Sequence, residues 1–215
     1  PRVRRQRQMC IRDSYNSATM TLEEVLAVMK DGEAKGLKVV RVHTGDPAIF
    51  GAHREQMDAL DRMGIEYEVI PGVSSFLATA AALKKEYTLP GVSQTVILTR
   101  MEGRTPMPPK EKLVDLAKHN ATMIIFLSVG MLDEMSAILR QEYRPETPVA
   151  VVYKATWEDQ KIVRGDLTNI AERVKEAGIT KTALTVVGDF LGNDYDLSKL
   201  YDKTFTTEFR KGVTE

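Results

Sequence analysis

Three loops of this 215-residue chain carry residue types suited to holding a charged small molecule. They are residues 43–47 (HTGDP), 71–75 (PGVSS) and 99–106 (TRMEGRTP). Glycine lets a ligand approach the backbone closely, and serine, aspartate and arginine supply hydroxyls, a carboxylate and positive charge. Each loop follows a predicted strand, and open α/β sheets bind ligands at the carboxyl ends of their strands.

The first loop has two interpretations. Asp46 can accept hydrogen bonds from a ligand or face a cation. Alternatively, it caps the next helix, with Pro47 at the first helical position. Spacing alone does not separate the two.

The second and third loops are equally open. Ser74 and Ser75 can bind a ligand or cap the helix that follows them. Arg100 and Arg104 flank Glu102, and an arginine fork matches carboxylates well. One interpretation is that the two arginines bind the carboxylates of a ligand. The alternative is a solvated charged loop.

Helices and strands alternate from residue 15 onward, which indicates an α/β protein. The capping box that begins at Thr21 predicts a helix ending at Gly36. Two short strands and two further helices follow, and this order predicts a parallel sheet. The strands are 38–43 and 65–70. The helices are 48–63 and an alanine-rich helix that follows the loop 71–75 and runs to about residue 85.

After a break at 89–91, the second half predicts a mixed sheet, because the runs 149–153 and 161–164 can pair as a hairpin. Its predicted strands are 95–98, 122–127, 149–153, 161–164 and 183–187, and its helices are 110–118, 131–141 and 167–177. The predicted organisation is a segment 1–14 that is disordered or foreign to the rest of the chain, an incomplete N-terminal α/β domain 15–88 and a C-terminal α/β domain 92–215.

Composition excludes several classes of protein. Lys plus Arg and Asp plus Glu number 30 each, so a general nucleic-acid binder is disfavoured. No apolar run could span a bilayer, and the three histidines and single cysteine have no metal-site spacing. With one cysteine and no visible secretory signal, we expect a cytoplasmic enzyme without metal. Trp157, the only tryptophan, is interpreted as a packing residue.

Residues 41–76 (RVHTGDPAIFGAHREQMDALDRMGIEYEVIPGVSSF) and 86–106 (EYTLPGVSQTVILTRMEGRTP) resemble the tetrapyrrole methylases. Within that family they are most similar to the precorrin-4 and cobalt-precorrin-4 C(11)-methyltransferases of cobalamin biosynthesis. The resemblance runs from about residue 15 to residue 190. It implies two α/β domains, S-adenosylmethionine as methyl donor and a homodimer.

The resemblance also assigns candidate residues. It implies donor contacts from both predicted domains, at Thr44, Gly45, Asp46, Ile49, Ser74, Ser75, Leu127, Ser128, Ala155, Ala183 and Leu184. It gives no residue as general base. Because the implied tetrapyrrole carries many carboxylates, we nominate Arg100 and Arg104 as substrate anchors, with Glu102 orienting them. Lys84 and Lys154 are weaker candidates.

The sequence departs from the family at its start. Members begin with a strand and a G-x-G-P-G-D-P loop, and residues 1–14 (PRVRRQRQMCIRDS) contain neither. A truncated or chimeric N-terminus is therefore expected. Three alternatives stay open: a sister methylase acting at another position or on a substrate such as uroporphyrinogen III, a methylase of this fold acting on protein or RNA, and an inactive remnant that binds tetrapyrrole or donor.

Overall fold

The computed structural model describes residues 13–213, so the basic segment 1–14 and Cys10 fall almost wholly outside the described residues. The chain divides into two compact units, one ending at Ser74 and one beginning at Ser75. The predicted break at 89–91 lies inside the second unit. None of the described helices is both long and apolar enough to cross a membrane.

The described part of the first unit, residues 13–74, contains two α-helices, α1 (Leu22–Ala34) and α2 (Arg54–Met63). The predicted capping box of α1 is present. The Thr21 hydroxyl accepts from the Glu24 amide at 3.3 Å, and the Glu24 carboxylate accepts from the Thr21 amide at 2.7 Å. These two bonds satisfy donors that a helix start leaves unpaired. Helix α2 is shorter than predicted and ends at Gly64, whose φ of 68° suits glycine.

The predicted parallel sheet of the first domain is not confirmed. Within residues 13–74 the segments 38–43 and 65–70 have β-branched sequences but no strand. A strand needs a neighbour to receive its backbone hydrogen bonds, and these segments have none among the described residues. Their apolar side chains are accordingly exposed, as Val40, Val42 and Ile70 show.

The second unit is built on a mixed five-stranded sheet, which confirms the prediction for this half of the chain. Its strand order is β1-β2-β5-β3-β4. Strands β1 and β2 are parallel, and β5 runs antiparallel to both β2 and β3. Strands β3 and β4 form the predicted hairpin. The strands are β1 (Val96–Arg100), β2 (Thr122–Phe126), β3 (Pro148–Tyr153), β4 (Lys161–Asp166) and β5 (Ala183–Val187).

This register places several predicted site residues at one end of the sheet. Strands β1, β2 and β3 finish there, at Arg100, Phe126 and Tyr153. Because β5 is antiparallel to β2 and β3, it begins there, with Ala183 opposite Tyr153. We call this the carboxyl end of the sheet.

Helices cover the sheet of the second unit. Its four helices are α3 (Ser75–Leu83), α4 (Leu113–Ala117), α5 (Leu132–Leu139) and α6 (Ile170–Glu176). Buried side chains of α4, α5 and α6 pack with Met123, Ile125 and Val151 on one face in a continuous apolar cluster. Side chains on the opposite face, such as Ile124 and Val186, are also fully buried, and α3 contacts β5. A sheet buried on both faces explains why β2 is apolar at nearly every position.

The central strand supports a stability prediction. Replacing Ile125, which is fully buried in β2, with alanine leaves a cavity and should lower the free energy of unfolding by about 2–5 kcal/mol. Ile162→Ala on β4, where the side chain is partly exposed, should cost less than about 1.5 kcal/mol. Urea unfolding of both variants measures the difference. Equal losses would contradict the burial described here.

Candidate functional site

The HTGDP loop of the first unit is fixed by the carboxylate of Asp46. One oxygen, Oδ1, accepts from the Ala48 amide at 2.8 Å, and Oδ2 accepts from the Gly72 amide at 2.7 Å. The helix-cap interpretation of Asp46 is therefore not what the structure shows, because α2 begins at Arg54 and has no side-chain cap. Asp46 instead caps a tight turn and joins the first two predicted loops.

Glycines let these two loops touch. A Cβ built on Gly72 would lie 2.1 Å from the carbonyl oxygen of Gly45, so no larger residue fits without displacing backbone. Gly45 itself has a φ of 67°, in the left-handed region. The close approach brings Thr44, Gly45 and Asp46 near the segment that ends at Ser74. Sequence spacing gave no indication of this contact.

Exposure differs among the candidate residues of the first unit. Thr44 and Gly45 are exposed, Asp46 and Ile49 are half-buried, and Ser74 is buried. Ser75 belongs to the second unit, where it is exposed and begins α3. A ligand at the first loop would therefore meet the backbone and Thr44 first.

Hydrogen bonds to a carboxylate stabilise its charged form. The amides of Gly72 and Ala48 accordingly lower the pKa of Asp46. The neighbouring histidines, His43 and His53, stack edge to face with ring centroids 5.7 Å apart. Burial, followed by the positive charge of Arg41, lowers the pKa of His43 and favours its neutral form.

In the second unit the remaining donor candidates collect at the carboxyl end of the sheet. Leu127 follows β2, Ala155 follows β3 by two residues, and Ala183 and Leu184 open β5. Four residues at this end adopt left-handed backbone conformations that non-glycine residues rarely take: Leu127 (φ 55°), Lys154 (45°), Thr156 (76°) and Thr182 (59°). Such strain costs on the order of 1–3 kcal/mol per residue and concentrates at functional sites.

Ser128 holds the ends of β1 and β2 together. Its buried hydroxyl donates to the Phe126 carbonyl at 2.6 Å and accepts from the Met101 amide at 2.8 Å. These bonds commit the hydroxyl to the fold. Leu127, next to it, has a side chain that is 74% exposed, so the peptide around Leu127 is the accessible part of this pair.

The turn after β3 contains a cluster that the sequence did not indicate. Lys154 forms an ion pair with Asp159 at 2.6 Å, and its ammonium lies over the rings of Tyr153 and Trp157. The hydrogen bond that the Lys154 ammonium donates to the Asp159 carboxylate is the main reason that the pKa of Lys154 is raised. Trp157 is 61% exposed, so its interpretation as a packing residue is wrong. The adjacent Ala155 is half-buried.

The TRMEGRTP loop is held by Arg100. Its guanidinium donates to three loop carbonyls, those of Met101 at 3.0 Å, Thr105 at 3.2 Å and Pro106 at 2.9 Å. The fork that was expected to bind substrate carboxylates is therefore engaged in shaping the loop.

The other two charged residues of this loop, Glu102 and Arg104, have separate surroundings. The carboxylate of Glu102 accepts from the Met107 amide at 3.4 Å. The described ion pairs include none between Glu102 and either arginine, so the orienting role predicted for Glu102 has no support in these contacts. Arg104 is exposed, and no described hydrogen bond uses its side chain. Arg104 is thus the available cation of the loop.

Within residues 13–213, no group of three or more His, Cys, Asp or Glu side chains is arranged to hold a metal ion. The second unit instead offers backbone groups, apolar side chains and one available arginine at a single end of a sheet. That combination suits an organic ligand with acidic groups.

Comparison with known proteins identifies the class. The family model of the Tetrapyrrole (Corrin/Porphyrin) Methylases matches residues 3–171. The chain therefore belongs to the tetrapyrrole methylase family, as its resemblance indicated.

Relatives of two kinds stand out within that family. The chain is 60% identical over 199 residues to the cobalt-precorrin-4 C(11)-methyltransferase of Methanocaldococcus jannaschii, covering 92% of this chain and 77% of the relative. It is 34% identical over 177 residues to the S-adenosyl-L-methionine-dependent uroporphyrinogen III methyltransferase of Methanosarcina barkeri, covering 80% and 69%.

Solved structures of the same two kinds of enzyme are also similar to this chain. The X-ray structure of a cobalt precorrin-4 methyltransferase superposes with a TM-score of 0.81 at 47% identity, covering 83% of this chain and 75% of that one. The uroporphyrin-III C-methyltransferase of Thermus thermophilus, complexed with S-adenosyl homocysteine, gives a TM-score of 0.65 at 25% identity, covering 79% and 74%. The predicted α/β fold class is confirmed.

The carboxylate of Asp46 generates a pH-dependent prediction. Its pKa is lowered in the folded state, so its stabilising effect is present above the unfolded pKa of about 4 and is lost as the pH falls through the folded value. The difference in unfolding free energy between wild type and Asp46→Asn should therefore shrink from pH 7 to pH 3. Urea unfolding at both pH values measures it.

Asp194→Asn is the matched control, since Asp194 is exposed and accepts no described hydrogen bond. It should leave stability close to wild type at pH 7. A loss from Asp46→Asn that is equally large at pH 3 and pH 7 would contradict the role given to the two amides.

Proposed function

We propose that this protein is an S-adenosylmethionine-dependent methyltransferase that methylates carbon 11 of precorrin-4 or cobalt-precorrin-4 in cobalamin biosynthesis. The observation that carries the proposal is the 60% identity over 92% of the chain to a cobalt-precorrin-4 C(11)-methyltransferase. The match to the uroporphyrinogen III enzyme is much weaker, at 34%. The arginine-containing loop after β1 adds chemical support, because corrin precursors carry many carboxylates.

S-adenosylmethionine is the co-substrate in this proposal. The residues assigned to it are the turn at Thr44, Gly45, Asp46 and Ile49, the pair Ser74 and Ser75, and, in the second unit, Leu127, Ser128, Ala155, Ala183 and Leu184. Their support is chemical. The carboxyl end of the sheet exposes apolar side chains and backbone groups, which suit a nucleoside and an amino-acid moiety. A family member with a related fold has been solved with S-adenosyl homocysteine.

The role of the Asp46 and Ser128 side chains follows from their bonds. Both are committed to protein partners, so we assign them to shaping the donor site. Donor contacts at these positions would then come from backbone groups near each side chain. Backbone recognition of this kind tolerates little movement, which accounts for the glycine contact and the strained residues.

The acidic substrate is assigned to Arg104. An arginine binds carboxylates with two parallel hydrogen bonds, and Arg104 is exposed on a loop that Arg100 holds in shape. Arg100 is accordingly a positioning residue. Lys154, a weaker candidate at sequence level, is already paired with Asp159.

Methyl transfer of this kind depends mainly on how the donor and the acceptor are oriented. The donor carries its methyl group on a positively charged sulfur. An electron-rich ring carbon attacks that methyl carbon in line, the methyl–sulfur bond breaks, and neutral S-adenosylhomocysteine leaves. Holding two reactants in that alignment can supply several kcal/mol without acid–base assistance. Residues of this chain would bind, align and exclude water, and none of those described is assigned as a general base.

The proposal also includes an oligomeric state and a cellular location. A homodimer and a cytoplasmic location rest on the family resemblance. A single cysteine at position 10 is compatible with a reducing compartment.

Arg104 provides the functional test. Arg104→Gln should raise KM for precorrin-4 at least tenfold, because a charge-assisted pair with a carboxylate is lost, and it should leave S-adenosylhomocysteine binding unchanged. The measurements are steady-state kinetics with mass spectrometry of the product, and calorimetry for the donor analogue.

Arg144→Gln is the matched control, because Arg144 forms an exposed ion pair with Asp189 in the second unit, which contributes little to stability. It should keep wild-type kinetics. Failure of the wild type to methylate precorrin-4 or its cobalt form would contradict the proposal. Methylation of uroporphyrinogen III instead would assign the protein to the sister activity, and binding without turnover would identify an inactive remnant.

A further inference from the structure

We propose that the indole of Trp157 is a stacking platform for a flat conjugated ring of a bound ligand at the carboxyl end of the sheet. The inference deepens the proposed function and rests on it. It concerns a side chain that the family resemblance did not assign.

The first supporting observation is exposure. Trp157 is 61% exposed, although tryptophan is a residue that folding normally buries to a large extent. It is the only tryptophan in the chain. Large aromatic rings left in water beside a candidate site are typical of ligand and partner contacts.

The second observation is that the exposed ring is held in place. The Trp157 amide donates to the Lys154 carbonyl at 3.0 Å, which closes a tight turn. The Lys154 ammonium lies 5.3 Å from the Trp157 ring centroid and 5.0 Å from that of Tyr153. Asp159 fixes the ammonium through its ion pair at 2.6 Å. A ring that is already ordered loses little conformational entropy when a ligand stacks on it.

The third observation is strain in the same turn. Lys154 and Thr156 both have positive φ, and for a β-branched residue such as Thr156 this is a rare conformation. The Thr156 amide is held by the Gln160 side chain at 2.8 Å. Strain of this kind persists where the surrounding contacts enforce it, and it marks functional positions.

The fourth observation is location. Strand β3 ends at Tyr153, opposite Ala183 at the start of β5, so the turn that carries Trp157 lies at the carboxyl end of the sheet. Ala155 and Ala183 are both donor candidates. The platform is therefore next to the residues to which the proposed function assigns a ligand.

The chemistry of stacking selects a planar π-system. The proposed reaction has two molecules that contain conjugated rings, the adenine of the methyl donor and the tetrapyrrole. Both would gain from the indole face, and the experiment separates them.

The experiment compares wild type, Trp157→Leu and Trp157→Phe in calorimetric titrations with two probes. The probes are S-adenosylhomocysteine and uroporphyrin III, a flat polycarboxylate tetrapyrrole. Trp157→Leu keeps apolar bulk but removes the π-face, and it should lose about tenfold in affinity for one of the two probes. Trp157→Phe keeps a π-face and should stay within about threefold of wild type. The probe whose affinity falls in Trp157→Leu identifies the ring that stacks on the indole.

A control variant and a thermal-unfolding measurement separate stacking from a structural effect. Tyr201→Leu removes another exposed aromatic of the second unit and should leave both affinities unchanged. Thermal unfolding of Trp157→Leu should match wild type, since an exposed side chain contributes little core. Because Trp157 is the sole tryptophan, its emission in wild type should change on titration with S-adenosylhomocysteine if adenine is the stacked ring.

The outcomes are distinct. If wild type binds a probe and Trp157→Leu binds both probes as tightly as wild type does, the platform is overturned and the proposed function stands. If Trp157→Phe loses as much affinity as Trp157→Leu, aromatic stacking is likewise overturned. If wild type binds neither probe, the failure belongs to the proposed function, and the platform falls with it.

Discussion

The antiparallel course of β5 between β2 and β3 is the constraint on which the site of the second unit depends. Were β5 parallel to its neighbours, Ala183 and Leu184 would open at the opposite end of the sheet, away from Leu127 and Ala155. The observed register pairs Ala183 with Tyr153, so β5 brings together residues that are far apart in the sequence. Burial of both faces of β5 fixes that register, because a slip of one residue would reverse every side chain.

Rigid protein contacts at this end of the sheet explain why so few side chains are left for ligands. Ser128, Arg100 and Lys154 all look from their types like binding residues, yet each is committed to carbonyls, amides or a carboxylate of the protein. Such contacts hold the strained turns in place. The groups left accessible are backbone, Leu127, Arg104 and Trp157, so this end of the sheet presents apolar and aromatic surface with one arginine. No metal cluster is found among the described residues.

Sequence patterns predicted local features well where the determining interactions are local. The capping box at Thr21 and the helix end at Gly64 both depend on residues within a few positions, and both were predicted. The mixed sheet of the second unit also followed, since each strand there has an apolar run and a partner. Residues 38–43 have the same strand propensity but no described neighbour to pair with, and propensity alone does not form a ladder.

The site was less predictable for the same reason. The types of Asp46 and Arg100, and the family resemblance for Ser128, indicated ligand contacts. The protein partners that these side chains have lie up to 27 residues away or depend on loop geometry. Gly72 against Gly45 and Trp157 against Lys154 are contacts of this kind, and no spacing rule encodes them. The family resemblance groups loops that periodicity leaves unconnected, because it carries information about tertiary structure, and donor binding at these loops stays a prediction.

The uneven burial of the two units has a consequence for how the molecule opens. Segments 38–43 and 65–70 lack ladder hydrogen bonds and expose Val40, Val42 and Ile70, so little free energy holds their amides away from solvent. Amides of β2 and β5, central in a sheet buried on both faces, become accessible only when that sheet is disrupted. Amide hydrogen exchange should therefore be fast in segments 38–43 and 65–70 and slowest in β2 and β5. The first unit should open locally without unfolding of the core of the second unit.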